Sequence, residues 1–594
     1  MTMFKPATVD HPAREPQASE RDISLKNRLL VSVFVPFLLC LSLPLEIYNS
    51  NIDQMPYPYS AILKNSVFVF LGLSLIFFLV IQLAGRFRQT VANLLLSLAL
   101  CAWISSSFIS PNYGVFNGTD LTIDILSKPA IAECLLWLSI IAVALFVPRL
   151  SKIIWEGATF LLFLIVIVTV FRTYQAIDAR PSTWLAILNT LSYASVENQY
   201  WQELPFFSKE RNILHILLDE AQGSVVRSTL EDHPEIKNKL QGFYLFEDTA
   251  GVFPYTAESV PAIFSGEVYD NKVSKVEYMK DSLGDNAFFS YLDDSGYSRI
   301  VHTHPSYCAT TYLDNCSGVP LMSEYSAFLT LLDFALLRAT PQSASSILYF
   351  QSAGVSSRVL GDGAYQETTT GVAWLNFNEF STKVEVKDIP PTYKFFHSLI
   401  SHAPLVLDAN CDILPATAKN QLGPMITQMR CSFHMVTQLL SKLDTLEILD
   451  RTLVIVSSDH GGNYVNNKHK ALLRKRNIVF SDFSRADAML MVKPFNARQP
   501  MKVLDAPAQL NQIGALIQLL DRKNADIDDV VEWLALQPHH RRFNSILPVH
   551  DGDELIRFRS YCIRGPVSKP ASWQKLRSGA DTRCGNTVPK VPPL

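Results

Sequence analysis

Residues 256–266 contain a side chain that could act as a nucleophile. They read Thr-Ala-Glu-Ser-Val-Pro-Ala-Ile-Phe-Ser-Gly, a polar turn that opens an apolar helix. We expect Thr256 or Ser259 to cap this helix and Pro261 to lie in its first turn. A threonine hydroxyl is a poor nucleophile at neutral pH, so chemistry at Thr256 requires a metal ion or a base beside it.

Two apolar runs elsewhere in the chain end in groups that could supply that help. Residues 212–218 are followed by Asp219, and residues 452–456 are followed, after two serines, by Asp459 and His460. The carboxyl ends of neighbouring parallel strands meet at one edge of a sheet, where open α/β folds place their ligands. Two buried strands ending in carboxylates, with a capped helix between them, indicate a metal-assisted nucleophile at that edge.

The second half of the chain has the alternating pattern that such a site needs. Helical patterns at 425–443 and 508–520 lie between or after short apolar runs, and this alternation predicts an α/β sandwich with a central mixed sheet over residues 211–540. The expected strands are 212–218, 242–246, 298–303, 393–399, 452–457 and 487–493. Residues 541–594 are basic and rich in proline, and we expect them to form an irregular C-terminal extension.

The first part of the chain is strongly apolar. Residues 1–28 are expected to be a disordered cytoplasmic N-terminus, 29–171 a five-helix transmembrane domain, and 172–210 a linker along the membrane surface. Each of the five apolar stretches approaches the ~20 residues needed to span a bilayer. The five stretches are 29–47, 66–84, 91–108, 130–147 and 153–171. Glu133 and Glu156 lie within the last two, so we expect them near an interface or facing the bundle.

Charge and cysteine usage agree with this layout. Basic residues cluster before the first stretch, between the second and third, and between the fourth and fifth, which predicts a cytoplasmic N-terminus and an extracytoplasmic second half. The net charge of −3 gives no indication of nucleic-acid binding. Six cysteines of the second half form close pairs, which indicates disulfides in an oxidising compartment. These pairs are Cys308 with Cys316, Cys411 with Cys431, and Cys562 with Cys584.

Together these motifs resemble one superfamily. The second half resembles the alkaline phosphatase/sulfatase fold, and five spans before such a domain are similar to phosphoethanolamine transferases, lipoteichoic-acid synthases and glucan phosphoglycerol transferases. Residues 256–261 match the Thr-Ala-x-Ser-x-Pro segment of the phosphoethanolamine transferases, and residues 459–461 match their Asp-His-Gly. Residues 401–404 match their Ser-His-x-Pro. Residues 462–465, Gly-Asn-Tyr-Val, stand where those enzymes have Glu-Ser-Leu-Gly, which implies a different acceptor pocket.

The resemblance assigns a role to each of these residues. Thr256 becomes the nucleophile, and Asp219, Thr256, Asp459 and His460 become metal ligands. Two carboxylates, one imidazole and a hydroxyl oxygen suit Zn²⁺, with Mn²⁺ as an alternative. His402 would hold the phosphoryl oxygens or protonate the leaving alcohol.

Other polar residues have more than one interpretation. His469 could be a further phosphate-binding histidine or a surface residue. Glu220 could replace Asp219 as a ligand, but we interpret it as a supporting charge near a helix N-terminus. His302 is expected to be structural, and His215 and His397 to be core residues.

The resemblance implies a membrane-bound transferase in a bacterial inner membrane. It would move a head group, phosphoethanolamine or phosphoglycerol, from a phospholipid donor to an envelope glycan or glycolipid. The first alternative is a sulfatase or phosphodiesterase-type hydrolase, although Ile263 stands where sulfatases have the Arg of Cys/Ser-x-Pro-x-Arg. The second is a catalytically silent, lipid-binding regulator of the envelope.

Overall fold

A computed structural model describes most of the chain. The described residues are 24–50, 59–109, 128–146, 148–178, 200–270, 272–273, 275–284, 286–303, 307–308, 313, 315–318, 324–344, 348–350, 353–360, 369–417, 421–522, 525–538, 540–547, 557–576 and 584. The expected N-terminal segment therefore lies outside the described residues up to residue 23. Residues 179–199 of the expected linker and much of the C-terminal extension also lie outside them.

Five helices near the N-terminus are long and apolar enough to cross a membrane. They are α1 Leu25–Ser50, α2 Ile62–Leu83, α3 Gly85–Ile109, α4 Pro129–Phe146 and α5 Trp155–Gln175. Hydroxyl groups join their ends, as between Ser42 and Thr169 at 3.0 Å and between Tyr59 and Thr173 at 3.1 Å. The prediction of five apolar helices is confirmed.

The second part is an α/β domain built on a mixed sheet of eight strands, with the order β15-β3-β14-β13-β2-β10-β5-β6. The strands of this part are β1 Phe206–Ser208, β2 Asn212–Leu218, β3 Tyr244–Phe246, β4 Thr249–Ala250, β5 Ser298–Thr303, β6 Cys316–Gly318, β7 Tyr349–Phe350, β8 Ala353–Gly354, β9 Glu385–Lys387, β10 Thr392–Ser398, β11 Leu405–Leu407, β12 Ile413–Thr417, β13 Thr452–Ser457, β14 Leu490–Lys493, β15 Lys502–Leu504, β16 Ala508–Gln509, β17 Arg541–Leu547, β18 Arg557–Ile563 and β19 Trp573–Lys575. Strands β13, β2, β10, β5 and β6 are parallel, whereas β14 is antiparallel to β13 and β3. The expected α/β fold with a central mixed sheet is therefore confirmed.

Helices cover both faces of the sheet. The helices of this part of the chain are α6 Gly223–Asp232, α7 Pro234–Lys239, α8 Thr256–Ser265, α9 Lys275–Leu283, α10 Ala287–Asp294, α11 Glu324–Ala339, α12 Val355–Leu360, α13 Thr369–Lys383, α14 Leu422–Thr445, α15 Asn467–Lys475, α16 Phe480–Ala486, α17 Ile513–Leu520 and α18 Ile527–Ala535. Side chains of β2 alternate between two cores: Ile213 and Leu217 pack on the α8 face, and Leu214 and Ile216 on the α14 face. Burial on both faces explains why β2 reads as a mostly apolar run.

The C-terminal extension differs from the expectation of irregular structure. Strands β17, β18 and β19 form an antiparallel sheet, and Phe543 and Trp573 pack with Phe483 of α16. The guanidinium of Arg541 donates to both carboxylate oxygens of Asp248, at 3.0 and 2.8 Å. This long-range pairing orders the segment, and local composition does not reveal it.

The three cysteine pairs are joined as predicted, Cys308–Cys316, Cys411–Cys431 and Cys562–Cys584. His215 is buried beside Phe395, with Nε2 2.9 Å from Ser457 Oγ, as expected of a core residue. His302 is buried between the rings of Trp201 and Phe396.

Candidate active site

Three neighbouring parallel strands, β13, β2 and β10, end at the same edge of the central sheet. Asp219 follows β2, Asp459 comes after β13, and His402 lies in the turn after β10. The backbone N–H of Asp219 donates to Ser398 O at 3.0 Å, and the Ser401 hydroxyl donates to Asp219 O at 2.6 Å. The sheet register therefore brings these candidates to one place.

Helix α8 brings Thr256 to this edge. Thr256 is the first residue of α8, and its hydroxyl donates to Asp219 Oδ2 at 3.2 Å. The start of a helix carries exposed N–H groups and a partial positive charge, which favour a phosphate group. The candidate nucleophile thus lies beside a carboxylate, at a helix end whose partial charge favours an anion.

The expected capping of α8 was wrong. Tyr255, in an extended conformation, precedes the helix, and no side chain caps it. The Thr256 hydroxyl points to Asp219 instead, and the Ser259 hydroxyl donates to Phe253 O at 3.0 Å. Pro261 lies in the second turn, not in the first. The cap is absent because both hydroxyls have partners outside the helix.

Asp219, Asp459 and His460 form a buried group that could hold a metal ion. One ligand atom from each lies within 4.8 Å of the others. Within the described part of the chain, Asp219 Oδ1 and Asp459 Oδ2 are buried and accept no hydrogen bond. His460 Nδ1 donates to Gly461 O at 2.9 Å, so its Nε2, 3.2 Å from Asp459 Oδ2, carries the free lone pair. Two bare carboxylate oxygens beside an imidazole lone pair fit a divalent cation.

The electrostatics of the two carboxylates also favour a cation. Burial raises the pKa of Asp459, and the nearby charge of Asp219 raises it further. Burial also raises the pKa of Asp219, but the nearby His402, His397 and His460 lower it by more. The pKa of Asp219 therefore lies below its ordinary value. Two buried carboxylates this close repel each other, and a bound cation would relieve that repulsion.

His397 is a site residue that sequence analysis placed in the core. It is buried, but its Nε2 lies 3.0 Å from Asp219 Oδ2 and its Nδ1 lies 3.2 Å from Thr303 Oγ1. His397 is paired with Leu217, two residues before Asp219, across the parallel strands β10 and β2. A polar residue near the carboxyl end of an apolar strand was the available signal, but only the register shows that it reaches Asp219.

We expect His397→Phe to weaken divalent-metal affinity by about 10- to 100-fold, because residues that orient a ligating carboxylate contribute on this scale. The phenyl ring keeps the packing but removes the nitrogen that contacts Asp219. Titration of the metal-free protein with Zn²⁺ would measure the affinity. His302→Phe, the same change on the adjacent strand β5, should leave the affinity unchanged. Equal losses in both variants would mean that His397 acts only through packing.

His402 lies at the rim of this group with Glu220 and Arg485. Its Nε2 is 4.0 Å from Asp219 Oδ1 and 3.8 Å from Glu220 Oε2, while its Nδ1 donates to Ala403 O. Burial lowers the pKa of His402, but the charges of Glu220 and Asp219 outweigh burial and raise it above the ordinary value. The charged form therefore places a proton on Nε2, facing the site.

Arg485 of α16 is a further residue that sequence analysis missed. Its Nη2 donates to Glu220 Oε1 at 3.3 Å, and its guanidinium lies over the Tyr255 ring, 5.0 Å from the centroid. Glu220 has a φ of 59° and comes before α6, so it is not a charge of the first helical turn. No sequence motif marks Arg485, which reaches the site through the packing of α16.

His469 is not brought into this group. It lies half-buried near the start of α15, and its ring packs edge-on against Phe483 with the centroids 5.9 Å apart. Among the described contacts, none joins His469 to Asp219, Asp459 or His460. Its proposed role in phosphate binding stays a prediction.

Comparison with known proteins agrees with the fold. Residues 211–493 match the protein-family model described as Sulfatase. This segment is a sulfatase-family domain. The resemblance to the alkaline phosphatase/sulfatase superfamily is thereby confirmed. Domains of this family generally use a divalent metal, and the buried group supplies a place for one.

Several solved structures are similar to the chain. The lipooligosaccharide phosphoethanolamine transferase A (EptA) of Neisseria meningitidis is 11% identical over 84% of this chain and 95% of its own, with a TM-score of 0.33. The lipoteichoic acid synthase LtaP of Listeria monocytogenes is 9% identical over 56% of this chain and 78% of its own, with a TM-score of 0.32. The periplasmic domain of EcEptC from Escherichia coli, in complex with Zn, is 12% identical over 52% of this chain and 82% of its own, with a TM-score of 0.33. No curated protein sequence matches the chain.

Proposed function

We propose that this protein transfers a phosphoryl-linked head group, phosphoethanolamine or phosphoglycerol, from a phospholipid to an envelope glycan or glycolipid. The proposal rests on one contact: Thr256 Oγ1 donates to Asp219 Oδ2 at 3.2 Å, beside the buried group that includes Asp459 and His460. A hydroxyl in this position is at the positive end of a helix and next to a possible cation. Both features favour attack on a phosphate group.

A divalent cation would be held by Asp219, Asp459, His460 and the Thr256 oxygen. It would lower the pKa of the hydroxyl and neutralise phosphate charge. We propose Zn²⁺ because the ligands are one nitrogen and three oxygens, with Mn²⁺ as the alternative.

Asp219 and His402 carry out the proton transfers of the two steps. In the first step Thr256 Oγ1 bonds to phosphorus, its proton passes to Asp219 Oδ2, and the bond from phosphorus to the diacylglycerol oxygen breaks. His402 gives its Nε2 proton to that leaving oxygen. In the second step the acceptor oxygen bonds to phosphorus and its proton passes to His402. Thr256 leaves and recovers its proton from Asp219.

The sulfatase form of the hydrolase alternative depends on Ser259, the residue that a sulfatase would convert to an aldehyde. The Ser259 hydroxyl is buried and donates to Phe253 O, whereas Thr256 contacts Asp219. Ile263, where sulfatases have arginine, is also buried. These placements favour transfer through Thr256. The silent-regulator alternative would instead be favoured by a metal-free protein whose Thr256→Ala variant keeps its biological activity.

We also propose the cellular setting that this reaction requires. The protein would lie in a bacterial inner membrane, with its N-terminus cytoplasmic and the sulfatase-family domain on the outer side. There both the phospholipid donor and the glycan acceptor are within reach of a domain tied to the bilayer.

Vesicles that contain phosphatidylethanolamine or phosphatidylglycerol with labelled acyl chains would test the proposal. We expect full-length protein and Zn²⁺ to release labelled diacylglycerol from one of the two lipids. Chelation of the metal should stop the release. Release that is unchanged in Thr256→Ala, or no release from either lipid, would count against the proposal.

A further inference from the structure

Helix α11 belongs by sequence to the second half of the chain, yet it packs in the core of the apolar bundle. Its buried side chains share one hydrophobic cluster with α1 residues such as Phe34, Leu38 and Leu45. The α11 members of that cluster are Ala327, Phe328, Leu329, Leu331, Leu332, Ala335 and Ala339. Neither core of the central sheet includes a described α11 residue. The helix therefore has its packing partners among the five apolar helices.

The contacts lie at one end of the bundle. Helix α11 packs against the last part of α1, Leu43–Ser50, against α2, and against the last part of α3, Ser105–Ile109. Arg338 Nη2 donates to Ser106 O at 3.1 Å. In a bundle that alternates in direction, the ends of α1, α3 and α5 lie on the same side, where the chain leaves for the sulfatase-family domain. Helix α11 thus enters the bundle from the side of its own domain.

The segment after α11 satisfies a carboxylate inside the bundle. Glu133 of α4 is 3% exposed, and its Oε2 accepts the backbone N–H of Gln342 at 2.9 Å. Its Oε1 accepts from the Ser105 hydroxyl at 2.6 Å. A buried carboxylate among apolar helices is energetically costly unless such donors satisfy it. Glu133 can be buried within α4 because Gln342, which follows α11, donates a hydrogen bond to its carboxylate.

An ionic cluster joins α11 to two further helices. Arg338 lies 3.7 Å from Glu46 Oε1 in α1, and Arg172 of α5 lies 3.3 Å from the same oxygen. One carboxylate is therefore shared by two guanidinium groups from different elements. Such an arrangement fixes α11 against the bundle more specifically than apolar contacts alone.

Helix α11 is too short to cross a membrane, and the chain on both sides of it belongs to the same domain. Sixteen residues at 1.5 Å each make a helix of about 24 Å, shorter than the ~30 Å hydrocarbon core of a bilayer. The chain before it, β6, is an edge strand of the central sheet, and the chain after it, α13, packs on the same domain. Helix α12 turns back on α11, where the Ser356 N–H donates to Asp333 Oδ1 at 2.7 Å. The segment goes in and returns on the same side.

Both flanks of the segment lead to the candidate site. On one side Thr303, at the end of β5, contacts His397 at 3.2 Å. On the other side Thr370 of α13 donates to His402 O at 3.0 Å and to Pro404 O at 3.1 Å. The chain that enters the bundle is therefore held to both histidines of the site.

We propose that residues 324–344, together with α12, form a re-entrant membrane segment that holds the sulfatase-family domain against its own transmembrane bundle, independently of the covalent linker. The partner surface is the outer end of α1, α2, α3 and α4, and the segment fixes the position of the site relative to the bilayer. The proposal requires the five apolar helices to cross a membrane, but it does not depend on which reaction the site performs.

Cutting the linker in the full-length protein would test whether α11 holds the sulfatase-family domain to the bundle. A protease site is introduced within residues 179–199, the protein is cleaved in membrane vesicles, and the vesicles are washed with high salt and alkaline carbonate before flotation. We expect the fragment that carries the sulfatase-family domain to float with the vesicles. Its appearance in the wash as a soluble monomer would overturn the proposal.

Matched variants distinguish the specific contact of α11 with the bundle from nonspecific adhesion of the domain to the membrane. Phe328→Asp with Leu332→Asp places two charges in the buried contact, and we expect the floating fraction to fall at least about 10-fold, which corresponds to 1.4 kcal/mol. Val503→Asp with Leu536→Asp makes the same change at exposed residues and should leave the fragment bound. Retention of the Phe328/Leu332 variant as fully as wild type would refute the proposed contact.

A second measurement does not depend on how well that variant folds. Cysteines at Glu46 and Arg338, whose side chains lie 3.7 Å apart, are joined by a short bismaleimide in intact vesicles. Cys40, Cys101 and Cys134 are first replaced by serine, so that no native free thiol can react. After linker cleavage the two fragments should migrate as one band on a denaturing gel, whereas Glu46→Cys alone or Arg338→Cys alone should give two. Two bands from the double variant would contradict the proposal.

Discussion

Thr256→Ala will abolish diacylglycerol release, with a loss of about 1,000-fold or more, whereas Thr256→Ser will keep measurable activity. The expectation follows from the position of the hydroxyl, 3.2 Å from Asp219 Oδ2 at the start of α8. Removing the nucleophile of a covalent mechanism leaves only binding and electrostatic contributions to the rate. Serine supplies a hydroxyl at the same backbone position. Initial rates with labelled phospholipid vesicles would measure both variants.

Ser265→Ala is the matched control for this experiment. Ser265 lies in the last turn of the same helix, and its hydroxyl donates to Pro261 O at 2.9 Å, away from Asp219. Its loss should change the rate less than about twofold, since a surface hydroxyl contributes little to stability. Activity of Thr256→Ala close to that of Ser265→Ala would remove Thr256 from the mechanism.

Asp459→Asn will abolish the increase in thermal unfolding temperature that Zn²⁺ gives the wild-type protein. Asp459 contributes one of the two buried carboxylate oxygens that accept no hydrogen bond among the described residues. A ligand at 1,000 times its dissociation constant stabilises the folded state by about 4 kcal/mol, so the wild-type shift should be large. Without metal, the variant should unfold no earlier than wild type, because burial and the charge of Asp219 make ionised Asp459 unfavourable there.

Asp521→Asn should give the opposite pattern. The side chain of Asp521 is also largely buried, but its Oδ1 pairs with Arg211 at 2.7 Å and accepts from the Tyr297 hydroxyl at 2.6 Å. Breaking this pair should lower the unfolding temperature of the metal-free protein and preserve the Zn²⁺-induced increase. A Zn²⁺-induced increase of wild-type size in Asp459→Asn would exclude Asp459 as a ligand.

The central strands were predictable because they are buried on both faces. The expected strands 212–218 and 452–457 coincide with β2 and β13, since a strand with two buried faces reads as a mostly apolar run. The expected helix 508–520 was wrong in its first part. Ala508–Gln509 pair with β4, and the helix begins at Ile513. Pairing with a distant strand is not visible in a local apolar pattern.

The position of α11 was not predictable in the same way. Apolar periodicity in residues 324–339 indicates a buried helix, but it does not indicate which core the helix enters. That choice depends on distant partners such as Glu46 and Glu133, which meet the segment only in the folded chain.

The residues of the candidate site also differ in whether the local sequence reveals them. Asp219 and Asp459 could be found because each follows a readable strand, and His402 and Thr256 because their motifs resemble a family. His397 depends on the register between β10 and β2. Residues that reach a site through register or tertiary packing leave no local signal in the sequence.

Mass spectrometry of the peptide that contains Thr256 tests the central claim most directly. Full-length protein is incubated with vesicles of the donor lipid and Zn²⁺ in the absence of acceptor, quenched in acid, digested and mapped. We predict that Thr256 carries a phosphoryl head group whose mass names the donor, and that the adduct is absent in Asp459→Asn. An aldehyde at Ser259, or an adduct on a residue other than Thr256, would contradict the account.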